Sequence, residues 1–292
     1  MRQLNLDQLH AFREVVALGS VSAAAQALNL TQPAVSLQIR QLERRLGVRL
    51  LERLGRRIEP TAAGRELLPH VGRIEAAVGE AVRAMADQAG AVGGRVRLGT
   101  GATACIYLLP RILRDLRSRF PRLDIVVRTG NTPEILRALE DNAIDIALVT
   151  MPAPGRALDV TPIVEDEIVA VFAGQAAVPE ERLTAAALAE LPVVLYEPGG
   201  NSRRVIDEWF RRAGVTLKPV MELGSVEAIK ELVGAGLGCA LLPRLAMAGG
   251  GLAVRSLAPP LRRGLAMVLR RDKTPDRALR EVIKSLTALR PA

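Results

Sequence analysis

The hydrophobic pattern of this chain changes period several times, and each period predicts a different kind of element. Over residues 6–18, Leu6, Leu9, Phe12, Val15 and Val16 gather on one side of a 3.6-residue helix, which Gly19 ends. The short alanine-rich helix that follows, AAAQAL, has Ser20 or Ser22 placed to accept from its first free N–H groups. After Asn29-Leu30, Thr31 caps a third helix, Pro33 stands in the first turn where no N–H is needed, and Val35, Ile39, Leu42 and Leu46 form an inward stripe. The outward side carries Pro33, Leu37, Arg40, Gln41 and Arg44, flanked by Ser36, without an acid to interleave them. VRLLERLGRRIEPT then gives two extended pieces about Gly55-Arg56-Arg57, the pattern of a β-hairpin wing.

From Thr61 to Gln88 the apolar positions Leu67, Val71, Ile74, Val78, Ala81 and Met85 step by four and three in turn. That is a heptad seam on a rod of roughly 40 Å, and it predicts a dimerising coiled coil. The competing reading is an amphipathic linker helix lying on its own domain, which Pro69 favours. AGAVGG at 89–94 reads as a hinge.

Beyond it, strand and helix alternate: VRLG, a helix over Leu108 to Phe120, LDIVVR, a helix over Glu134 to Glu140, and IDIALV. A second unit runs VVLY, a helix over Arg203 to Arg212, KPVMEL, a helix over Glu227 to Ala235, and CALL. TPEILRALEDNAIDIALV (132–149) aligns without gaps on SVEAIKELVGAGLGCALL (225–242), so the unit looks duplicated. Such alternation predicts parallel sheets with helices on both faces and a ligand cleft at the carboxyl ends of the strands. The chain therefore reads as α/β overall, with a winged helix-turn-helix over 1–60 and a linker helix over 61–90. A two-lobed αβ domain fills 91–292, with lobe I at about 91–164 and 266–292 and lobe II at about 165–265.

Composition sharpens the picture at a few points. Of 292 residues, 49% are apolar and 24% charged, as in a globular chain, and the 2% of aromatics leaves the core to Leu, Val, Ala and Ile. The formal charge of +9 favours a polyanionic partner, and residues 40–57 concentrate it, with seven arginines against Glu43 and Glu52. Cys105 and Cys239 stand far apart with no CxxC or Cys/His cluster, so no zinc site or other metal site is expected, nor a disulfide scaffold. MRQLNLDQLHAF lacks the apolar core of a signal peptide, and no apolar run is long enough for a membrane span, so a cytoplasmic protein without a membrane partner is expected.

Several motifs resemble the LysR-type transcriptional regulators: Leu9-x-x-Phe12, Gly19-Ser20-Val21-Ser22-x-Ala24-Ala25-x-x-Leu28, Thr31-Gln32-Pro33-Ala34-Val35-Ser36 and Leu42-Glu43-x-x-Leu46-Gly47. GNTPEI and GSVEAIKELVGAGLGCALLP resemble the effector domain of that family. Leu37 stands where the family usually has a basic residue, and Leu51 replaces a usual phenylalanine near the wing. The resemblance implies a transcription factor that works as a homodimer or homotetramer on double-stranded DNA, engages RNA polymerase and answers to a small-molecule effector, with a periplasmic-binding-protein-like effector domain.

A major groove admits one helix, whose leading turns meet base edges. The candidate contacts are Ser22, Thr31, Gln32, Pro33, Ala34, Ser36, Leu37 and Arg40, with Arg53, Arg56 and Arg57 of the wing on flanking phosphates. Gln32 suits adenine, Arg40 suits guanine or backbone, and Leu37 can meet a thymine methyl or pack on the wing. For the effector, strand ends and helix starts supply Thr100, Thr103, Thr129, Asn131, Thr150, Asn201, Ser202 and Ser225, a hydroxyl-rich set suited to a small anion. Thr132 and Ser225 can instead simply cap helices, and Arg203 can pair with a ligand carboxylate.

Two alternatives belong to other classes. GTGATA at 99–104 matches GxGxxA and suggests a dinucleotide-binding enzyme, although VVRTG puts Arg128 where a ribose-binding acid is expected. A solute-binding protein shares the two-lobed plan but needs export and no DNA-binding head. His10 and His70 both lie outside the αβ region and no G-x-S-x-G occurs, so the sequence favours a regulator that is not an enzyme and carries no cofactor.

Overall fold

The computed structural model describes residues 4–55, 57–87, 93–174, 183–248 and 250–289, leaving aside the side chains of residues 80 and 82–87. These residues form two compact units, the N-terminal elements in one and the αβ elements in the other.

In the first unit, α1 (Leu6–Leu18) starts at Asn5, whose side chain accepts from Asp7 N, and ends at Gly19 with φ of 64°. Ser20 rather than Ser22 caps α2 (Val21–Ala27), accepting from Ala23 N at 3.3 Å. Thr31 accepts from Ala34 N at the start of α3 (Gln32–Leu46), and Gly47 closes that helix at φ 74°, a left-handed conformation that costs a side-chain-bearing residue more than glycine. The periodic residues do what their spacing predicts: Val35, Ile39 and Leu42 pack with Leu9, Phe12 and Val15 of α1 and Ala24 and Ala25 of α2. Leu46 is the exception at 37% exposed, because it is the last helical residue and has no following turn to cover it.

The wing is present as β1 (Leu51–Leu54) and β2 (Arg57–Pro60), antiparallel, with Leu54 opposite Arg57. Glu43 anchors it to α3 by accepting from Leu50 N at 2.8 Å, and Ile58 N donates to Gly19 O at 2.9 Å. Leu51 packs half-buried against the head's core, so its replacement of a phenylalanine is a core change.

The helix α4 (Ala62–Asp87) runs on through Pro69, which withholds one N–H from the helical ladder. Its seam is not the uniform one that the spacing suggested. Val71 is 0% exposed in the head's own core, and Leu67 and Ile74 pack against the same cluster. These three are therefore unavailable, or only partly available, to a partner helix, because the head itself offers the nearest apolar surface. Val78, at 40% exposed, and Ala81 remain open in the single chain, while the Met85 side chain lies outside the described residues.

The second unit opens with β3 (Gly93–Thr100), α5 (Ala102–Tyr107), α6 (Leu109–Arg119), β4 (Arg122–Thr129), α7 (Thr132–Glu140) and β5 (Ile146–Thr150). Gly93 and Gly94 pair with Arg122 and Leu123 inside β3 instead of forming a hinge; residues 88–92 lie outside the described residues. After the long β6 (Leu158–Ala173) and the short β7 (Leu183–Thr184) and α8 (Ala185–Ala189), the duplicate follows. It comprises β8 (Val193–Tyr196), α9 (Asn201–Arg212), β9 (Met221–Leu223), α10 (Val226–Gly234) and β10 (Cys239–Pro243), and the chain closes with β11 (Leu252–Arg270) and α11 (Arg277–Thr287). The strand order β4-β3-β5 is repeated as β9-β8-β10, each set parallel, which bears out the duplication.

The sheet is mixed rather than purely parallel. β6 and β11 pair antiparallel with each other along most of their length and join the halves: β11 continues the first set through β5 at residues 265–268, and β6 continues the second through β10 at 168–171. Each half buries helices against both faces of its strands. Gly99 shows how tightly α7 packs, since a Cβ there would stand 2.4 Å from Ile144 Cδ1 and 2.8 Å from Ile135 Cγ2. The first glycine of GTGATA thus has a packing role without any nucleotide.

Candidate functional site

Two surfaces carry the candidate residues, one in each unit. On the head, burying Val35, Ile39 and Leu42 turns the other side of α3 outward, so Gln32, Pro33, Leu37, Arg40 and Arg44 are exposed and Ala34 and Ser36 partly so. Leu37 is 49% exposed on this side of the helix. Ser22 Oγ donates to Gln32 Oε1 at 3.3 Å, which leaves the Gln32 amide nitrogen free to donate outward. Thr31 is exposed but already occupied as the cap. Gln41 accepts from the buried Gln8 at 2.8 Å and so serves the α1–α3 contact. On the wing, Arg53 Nε folds back onto Gly55 O at 3.2 Å, Arg57 is exposed, and Arg56 lies outside the described residues. The result is a protruding, acid-poor helix face with arginines beside it, shaped for a groove between two phosphate backbones.

In the second unit a cleft of about 390 Å³ opens where the strands of both halves end. Thr103, Thr129, Asn131, Thr150, Asn201 and Ser202 line it, drawn together from α5, β4, the turn before α7, β5 and α9. Thr100 and Ser225 do not. Thr100 is wholly buried and its hydroxyl donates to Leu148 O at 2.9 Å, because the end of β3 is covered from both sides. Ser225 is spent capping α10, where it accepts from Ala228 N. The cap of α7 is Asn131 and not Thr132: Asn131 Oδ1 accepts from Glu134 N at 3.0 Å while Asn131 N donates to Glu134 Oε2 at 3.2 Å, a reciprocal capping box. Thr132 instead donates to Thr150 O at 3.1 Å.

Asn201 ties the halves across this cleft, its side-chain nitrogen donating to Thr150 O at 2.7 Å and Pro152 O at 2.8 Å. Arg203 is not a free ligand for a carboxylate. It is already bound to Asp207, to Glu222 and to Tyr196 O.

Residue spacing gave no sign of Arg263 or Tyr196. Arg263, 3% exposed, sits on β11 at the floor of the cleft, with its guanidinium on Asp166 at 3.0 Å and on Ser202 Oγ at 2.9 Å. Burial pushes the Asp166 carboxyl up against the downward pull of Arg263. The Tyr196 hydroxyl is buried at the cleft near the Thr103 side chain, with no hydrogen bond of good geometry, and burial raises it far above the range of an ordinary phenol against the weaker downward pull of Thr103, so it stays protonated. Only a chain fold that brings residues 103, 196, 202 and 263 together could disclose them. Cys105 and Cys239 are free thiols, and burial pushes Cys239 up to about 11. Among the described residues no cluster of His, Cys, Asp or Glu could hold a metal, and no helix is long and apolar enough to cross a membrane.

A winged helix-turn-helix carried on the same chain as a duplicated αβ domain with a polar cleft defines a ligand-responsive regulator of transcription. Comparison with known proteins gives the family. Residues 6–65 match the bacterial regulatory helix-turn-helix protein, lysR family, and residues 89–290 match the LysR substrate binding domain. The chain belongs to the LysR-type transcriptional regulators. It is 31% identical over 253 residues to the HTH-type transcriptional activator CmpR of Synechocystis, covering 86% of this chain and 83% of that protein. With the HTH-type transcriptional regulator CbbR of Rhodospirillum rubrum it shares 34% identity over 274 residues, covering 92% and 91%. Among solved structures, full-length CbnR complexed with its target DNA aligns with a TM-score of 0.75 at 22% identity, over 98% of this chain and all of that one. A full-length OxyR variant of Pseudomonas aeruginosa aligns at 0.76 and 20%, covering 98% of each. At those identities the structural matches speak to the fold, while the relatives named as regulators set aside the dinucleotide-enzyme and solute-binding readings.

Proposed function

We propose that the chain, acting in the cytoplasm, binds a partly palindromic duplex site as a homodimer or homotetramer and changes its DNA contacts or its contact with RNA polymerase when a small anionic effector enters the cleft. Its parts are a reading head over 1–60, a linker helix over 61–90 and an effector domain over 91–292. Gln32, Ser36 and Arg40 read base edges, Leu37 meets a thymine methyl, and Pro33 and Ala34 let the start of α3 approach the groove closely. Ser22 orients Gln32, while Arg53, Arg56 and Arg57 hold phosphates.

The carrying observation is the division of α3: its apolar stripe is buried and its exposed side is free of acids, next to a wing with exposed arginine. Selection of bound fragments from a random duplex library tests it. A site with two related half-sites is expected; a chain indifferent to every duplex at low salt would overturn the reading.

For the effector, α9 begins at Gly200, which provides no side-chain cap, so its first N–H groups are left for a ligand at the edge of the cleft. Thr103, Ser202 and the Tyr196 hydroxyl add donors around the same space. Thermal-shift screening of small carboxylates, sulfonates and phosphates on the full chain tests this assignment, and Ser202→Ala is expected to weaken whichever anion binds.

A further inference from the structure

The cleft has a second electrostatic character that an anion seat does not need. Its two arginines are neutralised from outside the cleft, Arg263 by Asp166 and Arg203 by Asp207 and Glu222. Two carboxylates that also line it, Glu134 and Glu197, form no ion pair among the described residues, Glu134 accepting only from Asn131 N. They come from opposite halves, Glu134 from the first turn of α7 and Glu197 from just after β8. Each lies over a bare glycine that lines the same space: a Cβ on Gly130 would stand 2.9 Å from Glu134 Oε2, and one on Gly224 would stand 2.7 Å from Glu197 Oε1. A side chain at either glycine would push the carboxylate away.

We infer that Glu134 and Glu197 make the cleft select an effector bearing a cationic group beside its anionic one, a small zwitterion with an ammonium or guanidinium end. This rests on the preceding assignment of the anion to the start of α9. The reasoning is one of charge pairing. A simple anion entering this cleft meets two carboxylates without a cationic side-chain partner, Glu134 held only by Asn131 N at the start of α7, and their repulsion works against the start of α9 and the hydroxyls. A ligand with a positive end turns the same two carboxylates into partners, while the buried Tyr196 hydroxyl and the free N–H groups of the twelve-residue α9 receive its acid. Opposed charges at two ends also fix the orientation of a small molecule, which hydroxyls alone do not.

Isosteric pairs that exchange ammonium for hydroxyl test the inference: taurine against isethionate, and β-alanine against hydracrylate. Binding of each to the full-length chain is measured by calorimetry and thermal shift, for wild type and for the double variant Glu134→Gln, Glu197→Gln. Glutamine retains both shapes and can still close the capping box with Asn131. We expect the ammonium member of each pair to bind wild type about fivefold more tightly, as two partly shielded ion pairs allow. In the double variant that preference should fall away. Equal or tighter binding of the hydroxyl members by wild type, or a preference that survives both substitutions, would overturn the inference and leave the anion seat standing. Failure of all four compounds to bind wild type would overturn both.

Discussion

Arg263 Nη1 donates to Ser202 Oγ at 2.9 Å while Nε and Nη2 of the same guanidinium close on Asp166 Oδ2 at 3.1 and 3.0 Å. One buried cation therefore links β6, β11 and the first turn of α9, and any ligand seated at Ser202 acts on it directly. Breaking a buried pair from one side is more damaging than removing both charges. Arg263→Ala should cost about 3–5 kcal/mol in urea unfolding of the full chain, and Asp166→Ala added to it should recover part of that loss. Ser202→Ala removes only one charge-assisted bond and should cost about 1.5–3 kcal/mol.

A second buried charge cluster governs acid stability. Asp145 is 4% exposed; burial works to raise its carboxyl, but Arg97, at 2.9 Å and through its own backbone N–H, and Lys273, at 3.3 Å, outweigh that and hold it at about 2. Depression of an acid's titration means the unfolded chain takes up the proton first as pH falls. The stabilisation is complete above pH about 4 and disappears between there and pH about 2, amounting to roughly 2 kcal/mol. Chemical unfolding followed across that window should show the slope in wild type and lose it in Asp145→Asn.

Reading and holding separate on the head. Arg40→Ala should cost about 1–3 kcal/mol with preference relaxed at one base position if the guanidinium reads a base edge. Arg57→Ala should weaken all duplexes alike and reduce the slope of log affinity against log salt by about 0.9. Binding titrations at several salt concentrations on a selected site and its single-base variants distinguish the two behaviours.

On the linker helix, Val78 and Val71 lie on the same predicted seam but have different neighbours. Val78→Asp should shift the chain towards monomer in sedimentation velocity without altering the unfolding of the head. Val71→Ala should leave assembly intact and destabilise the head by about 2 kcal/mol. The reverse pattern would mean that the seam works through its buried positions.

Much of the fold was legible because its signals are local. Caps at Ser20 and Thr31, the glycine stop at residue 19, and the period of Val35, Ile39 and Leu42 each depend on atoms within a turn or two, and each formed as its chemistry dictates. Duplication was readable as well, since 132–149 and 225–242 repeat the same cap, helix and strand, and the two sets of strands share one order. The long β6 and β11 were not foreseen. Their residues alternate poorly because burial changes along each strand as it passes from one half to the other.

What the sequence determined by itself was the helices and wing of the head, the duplicated αβ unit, the family motifs and the acid-free side of α3, because a helix needs only its own residues to define a face. The tertiary structure alone decided how those faces were used. It took Leu67, Val71 and Ile74 into the head's core, spent Thr100 on a backbone carbonyl and Ser225 on a cap, and brought Tyr196, Ser202 and Arg263 together at one cleft. Those assignments depend on which surface lies nearest in space and which polar group is already satisfied, and neither is encoded in the spacing of residues along the chain.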